Sequence, residues 1–208
     1  MLSPLVALLL EEERGATERR TLARLYGDYA EGLPDAFGPL EKALSEQAEA
    51  GAAVEARLGL ARRQADAAVA LAAAGRWEKV SPLLRHVPDP TLRSYLIDRL
   101  GPGGGEAGAV FERLSPEREP DVSARRALLL ALGEFGEDRL PRVEQAALVP
   151  RLLASYRDDP DPGIHRAAGW LLRRWEQQGK VDAIDRNLAV GKVEGIACVP
   201  PSASRTVR

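Results

Sequence analysis

Three stretches of the chain repeat one order of polar and apolar positions without a gap: DPTLRSYLIDRLG (89–101), DVSARRALLLALG (121–133) and DPGIHRAAGWLLR (161–173). Within each, apolar side chains recur at i, i+3, i+4 and i+8, which is one face of an α-helix. The columns are Leu92/Ala124/Ile164, Tyr95/Ala127/Ala167, Leu96/Leu128/Ala168 and Leu100/Leu132/Leu172. The i+7 column reads Arg99, Ala131 and Leu171, so the first copy is weaker there. Each copy opens on an aspartate (Asp89, Asp121, Asp161), the residue type that caps a helix by accepting a first-turn N–H. A proline precedes each aspartate (Pro88, Pro120, Pro160) and keeps the upstream helix from running on.

A helix with one apolar stripe must bury it, and an antiparallel helix just upstream is the nearest partner. Helical stretches precede all three copies: Trp77–Val87, Ala107–Leu114 and Arg142–Tyr156. Further upstream, an Ala-rich helix runs from near Ala52 to Ala74 and ends on Gly75 as its C-terminal cap. TERRTLARLYGDYA (17–30) reads as a degraded copy, partnered by a segment from Asp35 to Ala50, and Ser3 with Pro4 starts the first helix. No window alternates apolar and polar residues as a half-buried strand does. The pattern predicts an all-α fold, an α-solenoid of antiparallel helix pairs over residues 1–187. The clearest repeats span 76–179, eroded repeats span 1–75, and an irregular tail spans 188–208.

Composition agrees with that class. The chain is 45% hydrophobic but only 5% aromatic, and Ala and Leu, both strong helix formers, dominate. The 29 basic and 31 acidic residues leave a net charge of −2, so no global field draws nucleic acid or an anionic membrane. The single cysteine, Cys198, excludes an internal disulfide framework and suits a reducing compartment. MLSPLVALLL lacks the basic n-region and cleavage site of a signal peptide, and no other run approaches a membrane span. The expected location is the cytoplasm.

The repeat residues also carry a family resemblance. A capping Asp, an aliphatic residue and then Arg (Arg93, Arg125) resemble a HEAT/armadillo repeat, a family in which Asp and Arg often form a ladder between repeats; the third copy places His165 in the Arg column. WEKVSPLLRHVPDPTLRSYLIDRLG, DVSARRALLLALGEFG and YRDDPDPGIHRAAGWLLRRW together resemble the helical-repeat region of large bacterial multidomain proteins. Those proteins join a serine/threonine kinase domain to a formylglycine-generating-enzyme-like (sulfatase-modifying factor) domain. The similarity spans roughly residues 55–195. It implies a fragment of a larger signalling or modifying protein whose tail, IACVPPSASRTVR, reads as a truncation or a shifted frame.

Candidate chemistry is sparse. GPGGGEAG (101–108) follows a helix, with neither the preceding strand nor the Lys-Ser/Thr of a phosphate loop, and reads as an inter-helix turn. His86 and His165 stand far apart, with no Cys or carboxylate at ligand spacing. Cys198 has no nearby His to activate it. Asp158, Asp159 and Asp161 lack the ligand ladder of a calcium loop. No catalytic residue, cofactor or metal is expected.

The binding candidates are the arginine doublets, chiefly Arg62, Arg63, Arg126, Arg173 and Arg174, together with Trp170 and Trp175. One member of each doublet on a common groove would make a positive stripe. The competing reading is a solvated face paired i, i+4 to glutamates, with the tryptophans in the core. The expected function is a non-catalytic protein-interaction or scaffold module that contacts a protein partner or the adjacent domains of a parent chain. The alternative is a HEAT-like enzyme of the alkylpurine DNA glycosylase type, which holds duplex DNA in a basic groove. A net charge of −2 weighs against that, because phosphate neutralisation supplies most non-specific affinity.

Overall fold

The computed structural model describes residues 2–11, 14–33 and 35–196, and among them every regular element is helical. In chain order these are α1 (Leu2–Leu9), α2 (Ala16–Ala30), α3 (Gly38–Ser45), α4 (Val54–Ala73), α5 (Trp77–Val80), α6 (Thr91–Leu100), α7 (Ala107–Glu112), α8 (Val122–Leu132), α9 (Arg142–Asp158), α10 (Pro162–Arg174) and α11 (Gln178–Ile196). Each even-numbered helix from α2 to α8 packs against the next even-numbered one. Each even-numbered helix also packs on the element just before it, which for α6 is the 3-10 turn Ser81–Leu84 that continues α5. Helix α11 closes the far end against α9 and α10.

The repeat columns form the core of this arrangement. Leu96, Leu128, Leu132, Ile164 and Leu172 are all buried between helices, as the stripe requires. Helix α4 is buried around its whole circumference from Gln64 to Ala72 and contacts α2, α3, α5 and α6. Its alanines let those neighbours approach closely, which makes the Ala-rich segment the central helix of the N-terminal half. Its end follows from Gly75, which adopts a left-handed φ of 76°. That residue lets Arg76 N–H reach the Leu71 carbonyl at 2.8 Å and Gly75 N–H the Ala72 carbonyl at 3.0 Å, a Schellman closure.

Two of the three capping aspartates sit as expected. Asp121 Oδ1 accepts from Ala124 N at 2.9 Å, and Asp161 Oδ1 accepts from Ile164 N at 2.8 Å. Asp89 does not cap α6. Pro90 occupies the cap position, and Asp89 Oδ1 instead accepts from the N–H and hydroxyl of Thr91 in a tighter local turn.

Other boundaries also moved. Pro82 breaks the expected 77–87 helix into α5 and the 3-10 turn. Asp35 holds a φ of 56°, so the next helix begins only at Gly38. Helix α1 starts at Leu2, one residue ahead of the expected Ser3 cap. The expected irregular tail from 188 is corrected as far as Ile196, because α11 propagates through Leu188, Ala189 and two glycines whose cost, about 1 kcal/mol each, an established helix absorbs. The remainder of that tail, with Cys198, lies outside the described residues.

Candidate functional site

Arg93, Arg125 and His165 occupy one column of the repeat, and each ties its helix to a neighbouring element. Arg93 Nε donates to the Leu84 carbonyl at 2.8 Å, and its Nη2 donates to the Ser123 carbonyl at 3.0 Å on the following repeat. Arg125 Nη1 reaches across to Asp159 Oδ2 at 3.2 Å. His165 repeats only the backward half of the Arg93 contact: its Nδ1 lies 2.5 Å from the Tyr156 carbonyl, nine residues upstream, as Leu84 is nine upstream of Arg93. A carbonyl only accepts, so Nδ1 carries the proton. The imidazole also stacks on Tyr156 with ring centroids 4.1 Å apart. The arginines therefore bridge repeats, but to a backbone carbonyl and to Asp159 rather than to the capping aspartates themselves.

The binding candidates do not share one stripe. Arg62 is held against Tyr95, with Nε 3.3 Å from the phenol oxygen and the guanidinium over the ring. Arg63 faces Glu46 at 3.6 Å, Arg173 faces Asp185 at 4.0 Å, and Arg174 faces Glu134 at 4.0 Å while its Nε donates to the Gly133 carbonyl at 2.6 Å. Trp175 is buried at 7% exposure and belongs to the core.

Arg126 and Trp170 do come together, in a groove of about 430 Å³ that runs along α8 and α10 beside the first turn of α6. Its lining is His86, Arg93, Ser123, Arg126, Leu130, Gly163, Arg166, Ala167 and Trp170, with no aspartate or glutamate among these residues. Two glycines shape it. A Cβ on Gly163 would overlap the Arg126 side chain, and one on Gly133 would overlap the edge of the Trp170 ring. Both side chains therefore lie flat on the backbone of the neighbouring repeat. Arg174 covers one face of Trp170, which remains 37% exposed.

The charge in this groove is under-compensated. Among the described residues Arg166 makes no hydrogen bond or ion pair. Arg126 Nε is buried without a hydrogen-bond partner, and the Asp161 carboxylate stands 3.9 Å away. Burial, and next the neighbouring Arg126 charge, hold the Arg93 guanidinium below its ordinary pKa against the pull of Asp121. Asp121 is occupied elsewhere: the Ser123 hydroxyl and first-turn N–H groups keep its carboxyl below the usual carboxylate range.

Arg166 stands outside the adjacent arginine doublets, and Arg93, a single arginine in sequence, also lines the groove. The signal was present in the repeat itself, since Arg126 and Arg166 occupy one column of successive copies, as do Leu130 and Trp170. Among the described residues no three His, Cys, Asp or Glu side chains are grouped to hold a metal, and no helix is long and apolar enough to cross a membrane. No protein-family model, curated protein or solved structure matches the chain.

Proposed function

We propose that the chain is a non-catalytic interaction module, an α-solenoid of HEAT-like helix pairs that binds an acidic protein partner, or an acidic segment of a longer parent chain, in the cytoplasm. The observation that carries this reading is the groove between α6, α8 and α10, where Arg93, Arg126 and Arg166 meet an exposed Trp170 and, among the described residues, only Asp161, 3.9 Å from Arg126, stands within ion-pair reach of them. The packing of each even-numbered helix on the next supports the solenoid, because that is how stacked helix pairs share a continuous core. An indole beside guanidinium groups is also the composition of strong interface anchors.

The glycosylase alternative needs an acid beside the exposed aromatic, and Trp170 has none among the groove-lining residues. Excision of an alkylated base from duplex DNA, run beside duplex titrations at two salt concentrations, tests the choice. The expected result is no base release and weak duplex binding. Base release, or tight duplex binding that falls steeply with salt, overturns the interaction reading in favour of the enzyme. A positive arm is a labelled ten-residue glutamate-rich peptide, which should bind and be released by Arg166→Glu.

A further inference from the structure

Arg93, Arg126 and Arg166 line one groove, and among the described residues Asp161, 3.9 Å from Arg126 Nε, is the one carboxylate within ion-pair reach of the three. We propose that this groove is a phosphoryl subsite, taking a phosphorylated serine or threonine in an extended segment of the partner. This rests on the interaction reading above and names the chemistry its groove selects.

Three features converge. First, the guanidinium groups come from three successive even-numbered helices, so they approach a common ligand from separate directions. A tetrahedral phosphoryl group offers three acceptor oxygens and nearly two negative charges at neutral pH, whereas a carboxylate offers two oxygens and one charge. Second, hydrogen-bonding capacity is left over. Arg166 is without a partner among the described residues, and Arg126 makes no side-chain hydrogen bond there, its nearest carboxylate oxygen, Asp161 Oδ1, standing 3.9 Å from Nε. Third, Gly163 leaves the Arg126 side chain room against α10, where a Cβ would overlap it, so Arg126 and Arg166 both line the groove.

The remaining walls describe what flanks the phosphate. Leu130, Ala167 and one face of Trp170 are apolar, so an aliphatic residue next to the phosphorylated one has a wall to pack on. A groove of about 430 Å³ lies in the range that holds a few side chains, not a folded domain.

The test is fluorescence anisotropy with the full chain and labelled Ala-Leu-X-Leu-Ala peptides, where X is phosphoserine, serine or glutamate, beside a labelled twelve-residue oligo(dT). The phosphoserine peptide should bind about tenfold or more tighter than the serine and glutamate forms. Arg166→Ala should remove most of that difference without moving Tm, Arg166→Lys should restore part of it, and the exposed control Arg24→Ala should leave it intact. Equal binding of the glutamate and phosphoserine peptides would overturn the phosphoryl assignment while leaving an acidic-partner module standing. Oligo(dT) binding more tightly than the phosphopeptide would overturn both. An Arg166→Ala chain that keeps full phosphopeptide selectivity would remove the groove from the account.

Discussion

The Arg125 guanidinium donates to the Asp159 carboxylate across 3.2 Å, and both side chains are nearly withdrawn from water, at 9% and 15% exposure. Asp159 in turn accepts the Asp161 backbone N–H at 3.0 Å, so the pair links α8 to the turn that positions the cap of α10. Removing one member leaves the other charged and buried. Arg125→Ala should therefore destabilise the fold by roughly 3 kcal/mol. Urea denaturation checks this, and a double-mutant cycle with Asp159→Ala should show coupling well above that of the exposed Arg157–Asp158 pair.

Leu128 is fully buried on α8. Leu128→Ala should cost about 2–5 kcal/mol, the outcome for a packed site that cannot collapse. Equilibrium denaturation is the measurement, and a loss under about 1 kcal/mol would show that the stripe does not pack as described.

Asp121→Ala should cost about 1 kcal/mol at neutral pH by freeing the Ala124 N–H. The folded-state pKa of Asp121 lies below its ordinary value, so the ionised cap favours the fold above the usual carboxylate range. That contribution is lost as pH falls through the folded pKa, so the penalty of Asp121→Ala should hold above about pH 5 and shrink as pH drops below about 4. A penalty that stays constant over this range would contradict the cap geometry. Asp89→Ala should cost less than Asp121→Ala, because Asp89 is exposed and serves a turn outside the helix.

Glu176 ends α10 with a φ of 60°, while Gln177 N–H reaches the Leu172 carbonyl at 2.8 Å and Glu176 N–H the Arg173 carbonyl at 3.0 Å. This is the same closure that Gly75 makes after α4, with a side chain where glycine is at ease. Glu176→Gly should raise stability by about 0.5–1 kcal/mol, since the strain relieved exceeds the worth of the exposed Arg142–Glu176 ion pair. Thermal unfolding reads the sign directly, and a lowered Tm would refute it.

The helical class, the buried columns and two of three caps were legible in the chain because each depends on neighbours within about eight residues. The spacing of Ala124, Leu128 and Leu132 within one helix follows from a 3.6-residue period, and Asp121 and Asp161 bond to N–H groups three residues on. Asp89 opens an aligned string, yet α6 takes Pro90 as its cap and Asp89 bonds the N–H and hydroxyl of Thr91 instead, a local choice that the repeat pattern does not resolve.

The groove was a different matter. Whether an arginine is neutralised depends on which carboxylates stand near it after folding, and those come from distant segments. Arg63 meets Glu46, Arg174 meets Glu134 and Arg19 meets Asp66, while Arg166 meets none among the described residues. In sequence all four look alike, each within a charge-mixed stretch. Only the stacking of α6, α8 and α10 sets Arg93, Arg126 and Arg166 around one space and lays Trp170 on Gly133 as its wall. The sequence alone thus determined the elements and their buried faces, through periodicity and capping chemistry. Tertiary structure decided which charges remain uncompensated, because electrostatic pairing is set by distance in space and by burial.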